Sequence, residues 1–164
     1  AVLGGAVGAV DASPEVLAEA FLAARILAHA QGFRVLAAAS EAYDWSLDFA
    51  TIARIWRAGC IIRSALLDEI AVAFEGDLPE GQLILDPGLA QTLARCVPAL
   101  RQVVSGAVHG GHPVPALSAG LAWYDSMRLG HGSANMIQAQ RDMFGHHGFE
   151  RLGQTGRHHG PWWD

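Results

Sequence analysis

The period of the apolar residues constrains this chain most: they recur every three or four positions through long stretches and nowhere alternate with a period of two over a useful length. That pattern suits helices and leaves no exposed-edge strand. Ser13-Pro14-Glu15 opens the first run with a hydroxyl for the N-cap, proline at the first helical position and an acid in the first turn. Leu17, Phe21, Ala24, Leu27, Ala28 and Gln31 form a stripe that resumes with Val35, Leu36, Ala39 and Tyr43. A long helix is expected there, softened but not ended by Gly32. Asp44-Trp45-Ser46 reads as a turn, residues 49–56 as a shorter helix stopped by Gly59, and residues 61–74 as a third amphipathic helix. Residues 75–81 make a polar loop of turn formers. Asp86-Pro87 starts a short helix, Pro98 opens another over 99–108, and Gly110-Gly111-His112-Pro113 closes it. Residues 114–129 and 135–144 supply the last two helices, with Gly145 as the final stop. The expected fold class is all-α with an irregular C-terminal tail.

A length of 164 residues, 51% of them hydrophobic, is enough for one sizeable core. A net charge of -5 with 16% charged residues argues against a nucleic-acid surface, so any anion site must be local. Every cationic side chain other than histidine is an arginine, which excludes lysine chemistry from this polypeptide. Cys60 and Cys96 stand singly, with neither zinc-site nor redox-pair spacing, and read as buried reduced thiols. The apolar opening lacks a basic flank and is too short to span a bilayer, so a cytoplasmic chain without a membrane segment is expected. Residues 1–12 read as an irregular leader or a truncated start, since the chain opens without methionine and looks cut from something longer.

Arg141 and His147 sit six residues apart across the expected end of the last helix. A guanidinium forks onto phosphate or carboxylate oxygens and an imidazole beside it donates to the same anion. The alternative is an exposed arginine beside an ordinary surface histidine. The adjacent pairs His146-His147 and His158-His159 are not read as a metal site, because neighbouring histidines seldom face one ion and no paired carboxylate or helical His spacing accompanies them. No Gly-x-Ser-x-Gly elbow and no strand-linked Gly-x-Gly-x-x-Gly occurs, which leaves no hydrolase triad and no cradle for a dinucleotide. Arg54, Arg57 and Arg63 read as structural, holding carbonyls at helix ends. The glycine-rich tail from 148 carries Trp162-Trp163, and two indoles gain from a groove, either on the same chain or on a partner.

Several strings together resemble the C-terminal part of the decarboxylating 6-phosphogluconate dehydrogenases. Ala28-His29-Ala30-Gln31-Gly32-Phe33 is similar to the family's Ser-Tyr-Ala-Gln-Gly-Phe, and residues 52–64 to its Ile-Ala-x-x-Trp-Arg-Gly-Gly-Cys-Ile-Ile-Arg segment. Leu83-Ile84-Leu85-Asp86, Pro113-Val114-Pro115 and Tyr124-Asp125 follow in order, then Ala134-Asn135-Met136-Ile137-Gln138-Ala139-Gln140-Arg141-Asp142 with Phe144-Gly145 and His147. Met143 for Tyr, Gly148-Phe149 for Thr-Tyr and Gly132-Ser133 for Leu-Pro are departures.

The resemblance implies an all-helical domain over 13–147 and a tail over 148–164 that docks on a partner subunit, its His159-Gly160-Pro161-Trp162 resembling a terminal His-Thr-x-Trp. It implies that Arg141 and His147 bind the phosphate end of 6-phosphogluconate in a homodimer. It also implies an enzyme that oxidises this substrate with NADP and releases CO₂ to give ribulose 5-phosphate in the pentose phosphate pathway. The family's Rossmann domain, lysine base and glutamate acid lie outside the matched part. The chain alone is therefore expected to contribute no catalytic residue, to bind no cofactor or metal, and to be inactive. The alternative is a stand-alone helical dimerisation module without catalysis.

Overall fold

The computed structural model describes Gly5 and residues 7–162. Among the described residues six helices follow one another: α1 (Pro14–Ala42), α2 (Phe49–Arg57), α3 (Leu66–Glu75), α4 (Pro87–Gly110), α5 (Pro115–Arg128) and α6 (Ala134–Gly145). Short 3-10 turns at Pro79–Gly81 and Leu83–Leu85 lead into α4. Among the described residues the strand-like pairing is an isolated antiparallel bridge between Phe149 and His158, so the all-α expectation holds. The helix starts follow their caps. Ser13 accepts from the Val16 amide at 3.4 Å, Asp48 from Thr51 at 3.1 Å and Asp86 from Leu89 at 2.9 Å, each satisfying a donor that has no intrahelical partner.

The chain divides into two compact units, Ala1–Tyr124 and Asp125–Asp164. In the first, α1 lies along α4 and α2 along α3. Ala20, Ala23, Ile26, Leu27, Ala30 and Phe33 of α1 are buried together with Leu89, Leu93, Cys96 and Leu100 of α4. Phe33 reaches across to the second pair of helices. Its ring lies 4.8 Å from Phe74, 5.3 Å from Trp56 and 6.2 Å from Phe49, centroid to centroid, so one side chain joins α1, α2 and α3. The second unit holds the end of α5, α6 and the tail.

Three expectations change. The α1 stripe does not coincide with one core face: Leu17, Phe21 and Val35 are 47%, 62% and 69% exposed. The helix is apolar on two sides, and its period alone does not say which side the core takes. The third helix begins at Leu66 and not at residue 61. Positive φ at Gly59 (80°) and a turn closed by the Arg63 amide on the Cys60 carbonyl hold the chain out of helix, and Ile61 is fully exposed. Pro98 opens no helix; it lies inside α4. Proline removes the bond to the carbonyl four residues back, but Leu93, Cys96, Val97, Ala99 and Leu100 around it are all buried, and their packing carries the helix through.

Phe33→Ala is expected to destabilise the chain by about 3–5 kcal/mol, as for other buried aromatics, while Phe21→Ala costs less than about 1 kcal/mol. Urea unfolding midpoints at constant slope check the contrast, and equal shifts would refute this assignment of the core face.

Candidate functional site

Arg54 pairs with Glu75, and Arg57 with Asp68 at 2.6 Å, so these side chains tie α2 to α3 through carboxylates and not through helix-end carbonyls. Among the described residues Arg63 makes no ion pair.

The second unit is built around a residue that the sequence patterns gave no role. Asp142, one turn from the end of α6, is 0% exposed, the one buried charged side chain among the described residues. Its Oδ1 accepts from the Gly148 amide at 2.8 Å and from His159 Nδ1 at 2.6 Å. Oδ2 accepts from the Gly160 amide and from Trp162 Nε1, both at 2.8 Å. Both oxygens are thus filled by N–H donors drawn from six to twenty residues further on. Burial alone pushes the carboxyl up, and the donors of Gly160, His159, Gly148 and Trp162 outweigh it, holding Asp142 well below the usual carboxylate range.

Glycines let the tail close on this carboxylate. A Cβ at Gly160 would lie inside the Trp162 indole, and one at Gly148, where φ is 71°, inside the Arg157 side chain. The expected stop at Gly145 is the last helical residue; the left-handed cap is His146, with φ 52°. Gly145 matters instead because its bare Cα leaves room for the His147 imidazole to fold over the last turn. Arg157 then donates to the His147 carbonyl, through Nε at 2.7 Å and also through Nη2.

Between α6 and the tail lies a cavity of about 970 Å³ whose lining includes Asn135, Gln138, His147, Arg151, Arg157 and Trp162. Of the two residues expected to bind an anion, His147 faces this cavity and Arg141 is linked to it through Gln138, whose Oε1 accepts from Arg141 Nη1 at 3.3 Å. Met136, Ile137 and Phe144 on this helix are 65%, 52% and 79% exposed. The tail from His158 to Trp162 folds back on α6 of its own chain, while Trp163 lies outside the described residues.

Asp142, His146 and His159 also bring one ligand atom each within 4.8 Å of the others. A metal fits poorly there. The carboxylate already accepts four bonds, and the His146 and His159 rings stack 3.8 Å apart at 7°, so their in-plane lone pairs run side by side and do not converge.

Residues 7–162 match the family model described as 6-phosphogluconate dehydrogenase, C-terminal domain. The chain belongs to this family. It is 44% identical to the decarboxylating 6-phosphogluconate dehydrogenase of Lactococcus lactis over 91% of its own length and 32% of that protein. It is also 44% identical to the NADP(+)-dependent decarboxylating enzyme of Bacillus subtilis, over 90% of the chain and 32% of the relative. A solved Plasmodium falciparum 6-phosphogluconate dehydrogenase, studied in apo form and with NADP+ or 6-phosphogluconate, superposes with a TM-score of 0.86 at 34% identity, covering 93% of this chain and 34% of that one. The chain spans about a third of the length of these relatives. No described helix is long and apolar enough to cross a membrane.

Asp142 lies in the last turns of α6 of the 6-phosphogluconate dehydrogenase segment, where a carboxylate opposes the helix dipole, and the tail supplies it with histidine, tryptophan and glycine N–H donors. A carboxyl held below its ordinary value contributes stability above about pH 4 and loses it as the pH falls through the lowered value. The hydrogen-bonded Trp162 indole N–H resonance is therefore expected to survive acidification to about pH 3.5, where ordinary aspartates are largely protonated. Its loss between about pH 5 and pH 4 would contradict the hub.

Proposed function

We propose that this chain is the C-terminal portion of an NADP-dependent, decarboxylating 6-phosphogluconate dehydrogenase, and that Arg141 and His147 hold the phosphate end of 6-phosphogluconate in the active site of a partner subunit. The reaction oxidises the substrate at C3, then releases CO₂ to give ribulose 5-phosphate and NADPH, in the cytoplasm. One observation carries the reading. Arg141 lies exposed on α6 among exposed Met136, Ile137 and Phe144, in a unit that closes its own tail and leaves this apolar, cationic face uncovered by the rest of that unit. An apolar face of that kind marks an interaction surface, and a second copy of the chain is the partner it serves.

The division of labour follows from the residues. Guanidinium and imidazole supply directional donors to a dianionic phosphate and fix the sugar chain at its far end, which orients C3 without touching it. In this reading NADP binding and proton transfer belong to the family's Rossmann domain and to its lysine and glutamate, none of which is in the part that this chain matches.

In the intact enzyme, Arg141→Ala should raise the KM for 6-phosphogluconate by about 10- to 150-fold, the equivalent of one charge-assisted bond of about 1.5–3 kcal/mol. The KM for NADP should stay where it is. Steady-state kinetics with each substrate varied in turn decide the matter, and an unchanged KM for 6-phosphogluconate would sink the assignment.

A further inference from the structure

Asp142 takes no part in holding phosphate, yet the tail side of the cavity is hung from it. It follows Arg141 directly on α6. Its Oδ1 holds the amide of Gly148, the residue after His147, at 2.8 Å, while Arg157 holds the carbonyl of His147 from the other side at 2.7 Å. Its Oδ2 holds the Gly160 amide and the Trp162 indole, and Gly160, Pro161 and Trp162 line the same cavity as His147. The backbone that carries His147 and the tail that faces it are therefore referenced to one point on the helix that carries Arg141.

We propose that Asp142 is a positioning residue for the substrate phosphate: its carboxylate sets His147 and the returning tail in register with Arg141 and touches no substrate atom itself. The inference rests on the reading that Arg141 and His147 hold phosphate. The chemistry demands a carboxylate here. Four N–H groups converge on two oxygens, and both oxygens must accept. Asparagine has the same shape but offers one oxygen, and its NH₂ would face two further donors, one of the backbone amides among them. The hub would open on one side, and a group held within about 0.5 Å of its working position would drift. Next to a carboxylate, which only accepts, His159 presents its Nδ1–H.

The test is a set of single variants of the intact dehydrogenase, read by kinetics. Asp142→Asn is expected to raise the KM for 6-phosphogluconate about tenfold or more, leave kcat within about threefold and leave the KM for NADP unchanged. A purely structural role would lower kcat and the amount of folded enzyme and spare the KM of what remains. Should Asp142→Asn fail to fold, the pair His159→Leu and His159→Asn decides. Leucine removes the donor and should raise the KM about fivefold, while asparagine places an amide N–H where Nδ1 was and should restore it to within about twofold. Equal KM values for the pair overturn the proposal. If Arg141→Ala raises the KM while Asp142→Asn and His159→Leu do not, the positioning role is wrong and the phosphate reading stands. If Arg141→Ala also leaves the KM unmoved, the phosphate reading falls and the positioning role with it.

Discussion

An ionised carboxylate cut off from water must find a donor for each of its acceptor positions, and that requirement organises the C-terminal unit of this protein. Asp142 is fully buried and meets it with two backbone amides, one imidazole and one indole. Because the donors come from four residues spread between Gly148 and Trp162, satisfying the charge closes the tail into a loop. The bridge between Phe149 and His158 and the bonds from Arg157 to the His147 carbonyl fall inside that loop. The glycines at 148 and 160 are there because no side chain fits beneath Arg157 and Trp162.

Closing the tail on α6 decides what α6 leaves open. One side of the helix is spent on Asp142, and the residues that remain exposed are apolar (Met136, Ile137, Phe144) or cationic (Arg141). A short amphipathic helix normally turns its apolar side to its own core. Here the unit's interior is a polar hub, so the apolar side faces outward. A face of that composition suits contact with another surface.

The first unit is held by a different principle. Alanines at 20, 23 and 30 let α1 approach α4 closely, and Phe33 extends the contact to α2 and α3. Packing of this kind overrides local preference. It carries α4 through Pro98, and it takes only one of the two apolar sides of α1. The ion pairs Arg54–Glu75 and Arg57–Asp68 secure α2 against α3 at the surface and do not set the fold.

Local chemistry was legible in the sequence. Ser13 and Asp86 mark helix starts because a short oxygen-bearing side chain caps its own neighbours, and the helical period excludes a sheet because it repeats within a few residues. The motif strings around Arg141 placed the chain in its family for the same reason: they are contiguous. The tertiary structure alone decided which face of α1 is core, whether Pro98 ends a helix, and what Asp142 does. Each depends on groups far apart along the chain, and a carboxylate on a helix has the same local signature whether water or a distant tail satisfies it.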